Sequence, residues 1–305
     1  MSARQRVLRW FHDHPWLKAW ALLAPGLTWL VLFFVGPLLL MFGYSFMPQG
    51  AYGGVASGFT LEHYARFFDP LYMAIVLRTT LYAVVCTLLC LLLGYPVAHA
   101  IARATRWRNF LLFLVTLPFW TSFLVRMFSM IFLLRESGLI NSLLIRSGLL
   151  EEAITLLYTP PAVMVGLIYG FLPFMVLPVY ASLEKLDLSL LEAAEVLGAR
   201  PAARFFRITL PLSMPGVVAG SLLVFIPALG SFLTSDLLGG AKQILIGNLV
   251  QNQFTTARNW PFGSAASFVM MTLVLVAVTL YLRVRDRGEQ LGGHSGGQLA
   301  EPAAK

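Results

Sequence analysis

The side chains able to do chemistry are few and scattered. Of five histidines, His99 alone falls inside a long apolar run, and no acidic residue neighbours it. His12 and His14 lie in a basic, amphipathic N-terminal arm. Cys86 and Cys90, four apart, share one helix face and read as small buried hydrophobes, neither a disulfide framework nor metal ligands. Intramembrane catalysis needs a nucleophile with its base, a metal set or an aspartate dyad. No such set is spelled out, which sets aside a membrane protease or lipid transferase. Neither G-x-x-x-x-G-K-[ST] nor any Gly-Lys dipeptide occurs, so the chain has no loop of that kind to cradle ATP phosphates. One polar segment is better organised than a connection needs to be. Over 184–211, Ser189 followed by Glu192 spells a capping box that starts a helix. Gly198 suits the left-handed residue that closes it, and Pro201 fits the first turn of a second helix. Leu190, Leu191, Ala194 and Leu197 fall on one apolar stripe, with Glu192 and Glu195 beside it.

The elements that position this loop follow from composition. The 305 residues are 58% apolar and 12% charged, about half the charge of a soluble globule. That excludes a soluble enzyme, a disordered scaffold and a secreted disulfide module, and leaves an integral membrane protein. Six runs reach the roughly 20 apolar residues a spanning helix needs: Trp20–Phe46, Met73–Ala102, Phe110–Leu134, Ala162–Leu183, Leu212–Ser235 and Ser264–Leu282. They are continuous, not alternating, so the fold class is an all-α polytopic membrane protein. The first run is too long for a signal peptide and lacks a cleavage pattern. Fifteen Lys and Arg fall on the side holding the termini and six on the other; Arg126 lies within a run. The bias places both termini and the 184–211 loop in the cytoplasm. It also accounts for the net charge of +8 without nucleic acid. The organisation is then an arm over 1–19, a six-helix domain over 20–287, and a disordered tail over 288–305. Residues 47–58 read as a flexible outside loop.

Glu192-Ala193-Ala194, Gly198 and Ile208-Thr209-Leu210-Pro211 resemble the EAA loop of binding-protein-dependent ABC importer permeases. The resemblance implies a type I importer permease (MetI-like) fold in the bacterial inner membrane, with Glu192, Ala193, Ala194 and Gly198 in a coupling helix seated on an ATPase subunit. Further stretches are similar to the B-type permeases of spermidine/putrescine importers. They include Ala65-Arg66-Phe67-Phe68-Asp69-Pro70, Pro118-Phe119-Trp120-Thr121, Ser235-Asp236-Leu237-Leu238-Gly239-Gly240-Ala241-Lys242 and Trp260-Pro261-Phe262-Gly263. Related subunits that prefer putrescine often carry an acid where this chain has Ser231 and Pro where it has Ser235. The implied assembly is a heterodimer with a C-type permease, two ATPase copies that bind ATP and Mg, and an extracytoplasmic polyamine-binding protein.

A path for a flexible chain of ammonium groups should offer carboxylates and aromatic faces. No Asp or Glu lies inside the six runs. Asp236, just past the fifth, is the nearest acid; Trp120, Phe119 and Tyr169 are aromatic candidates, and Ser231 and Thr234 offer hydroxyls. Each also has a packing or anchoring role open to it. Pro227 should kink the fifth run near its middle. Arg126 needs an acceptor and would repel a polycation; it reads as structural or as a gate partner. Within the same class of permease, an opine, an aminophosphonate, another organic cation or ferric iron is the alternative cargo.

Overall fold

The computed structural model describes residues 15–240 and 243–293. The arm up to residue 14, with His12 and His14, lies outside the described residues, as do Lys242 and the tail from 294. The chain divides into two compact units, Met1–Phe67 with Gln253–Met271 and Phe68–Asn252 with Thr272–Lys305.

In the first unit, helix α1 (Pro15–Leu30) passes through a π-helical turn, Val31–Val35, into α2 (Gly36–Tyr44). The register change sits directly before Pro37, which has no N–H to continue the ladder. Helix α3 (Glu62–Phe67) buries Phe67, and the Arg66 guanidinium lies 4.8 Å over the ring of buried Phe262. The 47–58 loop, expected to be flexible, is cross-braced. Ala56 N–H donates to the Pro48 carbonyl at 2.9 Å, and Gly54 N–H donates to the Arg258 carbonyl at 2.6 Å. Gly53 holds φ +91° against Arg258, where a side chain would collide.

The second unit holds the bundle. Its frame is α4 (Pro70–Arg103), α8 (Pro160–Glu184) and α11 (Leu210–Gly230). Glycines let these helices approach closely, as small residues do between helices in lipid. A Cβ on Gly216 would stand 2.4 Å from the Pro178 carbonyl oxygen, and one on Gly220 2.8 Å from Met175 Sδ. Tyr95 and Ser213 hydroxyls are hydrogen-bonded at 2.9 Å between α4 and α11. Cys86 and Cys90 are fully buried, free thiols among Val163, Leu167 and Val176 in the same core. Between α4 and α8 run α5 (Arg108–Thr116), a 3-10 turn (Leu117–Trp120), α6 (Phe123–Leu134) and α7 (Leu139–Arg146). Beyond α8 come α9 (Leu188–Val196) and α10 (Pro201–Arg204), and after α11, α12 (Ile246–Phe254). The last helix, α13 (Trp260–Gly293), begins in the first unit and ends in the second. It carries helical structure six residues past the 287 boundary. Among the described residues the only strand-like pairings are two isolated bridges.

Five helical runs are long and apolar enough to cross a membrane: Leu22–Tyr44, Pro70–Arg103, Pro160–Glu184, Pro201–Gly230 and Trp260–Thr279. A bent pair, Arg108–Trp120 with Phe123–Arg146, makes six if counted as one. Two expected spans need correction. The third is broken, its halves meeting at 93°. Pro118 removes an N–H, and Thr121 leaves the helix in an extended conformation. The fifth stops at Gly230, five residues early, and Ser231 is extended. Pro227 therefore stands three residues from the end of α11 and not near its middle.

Candidate functional site

Two clusters of expected site residues lie in the second unit. The first is the loop after α8. Its base is clamped: Arg108, opening α5, donates from Nε to the Tyr180 hydroxyl at 2.6 Å and ion-pairs with Glu184. The next helix is capped by Asp187, not by a Ser189–Glu192 box. The Asp187 carboxylate accepts the Ser189 N–H at 2.9 Å, and that bond holds its pKa below the usual carboxylate value. Asp is as good a cap as Ser and stands two residues earlier, so α9 starts at Leu188.

The far end of α9 is a complete Schellman closure. Gly198 N–H donates to the Glu195 carbonyl and Ala199 N–H to the Ala194 carbonyl, both at 2.9 Å, with Gly198 at φ +78°. Pro201 opens α10 as expected. However, α10 is not a separate helix outside the membrane. Through a π-helical turn, Phe205–Thr209, it runs on into α11, giving one helical run over Pro201–Gly230. Glu195 on α9 ion-pairs with Arg204 on α10. A cavity of about 440 Å³ lies beneath, lined by His99, Arg103, Leu191, Glu195, Arg204 and Phe205 among others.

The expected apolar stripe divides. Leu191 and Ala194 turn inward and are half-buried, while Leu190 and Leu197 are exposed. Because residues four apart stack on a helix, the exposed side carries two rows, Leu188–Glu192–Val196 and Ser189–Ala193–Leu197. Val196 and Leu197 are each 87% exposed. The small residue available to a partner is thus Ala193, and Ala194 packs toward its own chain. Leu188 and Val196, outside the expected stripe, are the apolar residues on this side, and only the packing of α9 against its own chain exposes them.

The second cluster surrounds one face of α8. Gly166 and Gly170 lie one turn apart, with Phe174 one turn further on. Gly166 receives Leu238 and Thr234, Gly170 receives Phe123, and Phe174 meets Phe119 edge-on at 5.0 Å between centroids. Thr234, Phe123 and Phe119 therefore attach to consecutive turns of one helix, from two segments far apart in sequence, while Tyr169 belongs to the helix itself. Trp120, 81% exposed, projects from the turn where the third span breaks. Ser231 donates to the Thr234 hydroxyl at 3.2 Å, and Thr234 is fully buried. The two hydroxyls are thus hydrogen-bonded to each other. Asp236 is exposed in a π-helical turn, Ser235–Gly239, that folds back after α11. The fold-back is pinned by the Asn248 amide donating to the Phe232 carbonyl at 3.0 Å and by Ile246 N–H donating to Thr79 Oγ1 at 2.9 Å. Arg126 lies over the rings of Phe123 and Tyr169, at 5.4 and 5.9 Å.

The geometry is thus a helix projecting at one end of an apolar bundle and an aromatic cluster beside the broken span. Residues 90–287 match the family model described as "Binding-protein-dependent transport system inner membrane component". The spermidine/putrescine transport system permease protein PotB of Haemophilus influenzae is 45% identical over 257 residues, 84% of this chain and 90% of that one. PotB of Escherichia coli K12 is 45% identical over 84% of this chain and 93% of its own length. The inner membrane ABC transporter permease protein YdcU of the same organism is 34% identical over 90% and 91%. In three dimensions, a chain of a bacterial ABC transporter that imports alginate superposes with a TM-score of 0.71. At 20% identity over 92% of this chain and 99% of that one, it shares the fold. The chain belongs to the family of inner membrane components of binding-protein-dependent transport systems.

Proposed function

We propose that this chain is a transmembrane permease subunit of an ATP-driven polyamine importer. It forms the translocation path with a second permease and is driven through α9 by an ATPase subunit. The observation that carries the coupling role is the exposed double row on α9, Leu188–Glu192–Val196 beside Ser189–Ala193–Leu197, on a helix anchored at both ends. Apolar residues held out toward water and flanking one carboxylate fit a groove in a partner protein, with Glu192 setting orientation. The Schellman turn and the Glu195–Arg204 pair make a push on α9 a push on α11. ATP and Mg belong to the ATPase in this reading, since the chain has no phosphate-cradling loop of its own. Polyamine is the cargo by kinship with PotB, which is named for spermidine and putrescine. An extracytoplasmic binding protein delivers it on the face opposite α9, and both termini lie in the cytoplasm.

The test is ATP-dependent uptake of labelled spermidine and putrescine by the co-expressed complex in proteoliposomes, each polyamine competing against the other. Saturable uptake of at least one, abolished without ATP, is expected. An assembled, ATP-hydrolysing complex that moves neither would transfer the cargo to another class, an opine, an aminophosphonate or ferric iron among them.

A further inference from the structure

Arg126 is a basic residue deep within an apolar run, and the bundle does not neutralise it. Its Nε and Nη1 are shut off from solvent and have no hydrogen-bond partner among the described residues. The rings of Phe123 and Tyr169 supply cation–π faces, which carry no opposite charge. No Asp or Glu occurs in the runs, and Arg126 makes no ion pair with Asp236 or any other described carboxylate. Burying a guanidinium with two idle donors is costly in water-free surroundings, and such a residue faces a partner.

Depth narrows the partner. At 1.5 Å per residue, Tyr169 stands about 14 Å from the Pro160 end of α8 and about 22 Å from the Glu184 end. The guanidinium beside it is therefore inside the hydrocarbon, beyond the reach of lipid phosphates. The adjoining surface is open for contact: Trp120 and Tyr169 are exposed, and the break at Thr121–Ser122 turns α6 away from α5 by 93°. We infer that Arg126 forms an intramembrane ion pair with a carboxylate of a second transmembrane subunit, docked over the Trp120–Arg126–Tyr169 surface. The inference rests on the proposal that a second permease completes the path; it does not depend on the cargo. It makes Arg126 an assembly residue and explains a fixed positive charge in a conduit for cations: paired, it presents no net charge to them.

The experiment is co-purification of the two permeases from membranes in mild detergent. Arg126→Gln and Arg126→Lys are made here, and each intramembrane Asp or Glu of the second subunit is changed to its amide. A pair predicts one acid with a distinctive pattern. Neutralising it, or Arg126 alone, lowers recovery of the complex by about tenfold. Neutralising both restores recovery to within about twofold of wild type, because no orphan charge is left. Arg126→Lys retains most of the complex. The inference is overturned if Arg126→Gln is recovered at wild-type level or if no acid shows the rescue. If the Gln variant fails to accumulate even without its partner, the acid variants beside native Arg126 decide, since none lowering recovery also overturns it. Wild-type chains that never co-purify would instead remove the two-permease reading on which it stands.

Discussion

Gly198 shows how a single backbone angle can matter more than the space around it. Its φ of +78° closes α9, yet a Cβ built there meets nothing within 4 Å. The requirement is conformational: an L residue held left-handed costs about 1–2 kcal/mol, least for Asn. Gly198→Asn should keep most ATP-driven uptake and Gly198→Val should lose most of it, with equal amounts of both in the membrane. Equal uptake by the two would show that the turn is dispensable. Glu192 is exposed and central to the outward rows, so Glu192→Lys should uncouple ATP hydrolysis from transport without loss of the chain. Asp187 carries a pH signature. Its folded pKa is depressed by the bond from Ser189 N–H, so the cap is fully present above the unfolded value and is lost as pH falls through the folded one. Amide exchange at Ser189, corrected for intrinsic rate, should speed up on acidification, and in Asp187→Ala should be fast at all pH. Spacing made the Gly198 turn legible. The capping role of Asp187 was not, because Ser189 offered an equally good local signal and only the backbone path decides between them.

The elements are held by close approach more than by bulk. Gly216 brings α11 against the backbone of α8, where a methyl group would stand 2.4 Å from the Pro178 carbonyl oxygen and 2.5 Å from Ser182 Oγ. Backbone cannot step aside as a side chain can. Gly216→Ala should therefore cost about 1–3 kcal/mol of stability, read as a lower melting temperature of the purified protein. Gly43→Ala, also within a helix but with nothing near its Cβ, is the control and should be neutral or slightly stabilising. The same logic explains which spans were readable. Hydropathy finds a run of apolar residues, and for α4 and α8 the helix ends came within three residues of those expected. It is blind to continuity. Phe110–Leu134 is apolar throughout, yet Pro118 and the extended Thr121 break it. Leu212–Ser235 loses its last turn because Ser231–Ser235 begin a fold-back that Asn248 and Thr79 pin.

For the whole molecule, the topology offers a direct test. Both native cysteines are fully buried, so the background for thiol labelling is low. A cysteine introduced at exposed Leu197 should react with a membrane-impermeant maleimide in inverted vesicles and not in intact cells. One at exposed Trp260, one expected span later in the chain, should show the reverse. Labelling of Leu197→Cys from outside would overturn the orientation and, with it, the coupling of α9 to a cytoplasmic ATPase. The path itself is tested by Asp236→Asn. It should lower polyamine uptake without loss of assembly, and unchanged uptake kinetics would remove Asp236 from the path.

Composition and the continuity of the apolar runs required an all-helical membrane protein, because a chain with so little charge cannot hydrate its surface and, in hydrocarbon, a continuous apolar run satisfies its own backbone only as a helix. Local spacing likewise marked the 184–211 loop, since caps and turns are made by residues within a few positions of one another. Only the tertiary structure decided which side of α9 faces outward, that α10 continues into α11, and that Phe119, Arg126 and Thr234 meet α8 at Phe174, Tyr169 and Gly166. Those facts depend on contacts between residues far apart in the chain, and a glycine's absence of side chain has meaning only once its neighbour is in place.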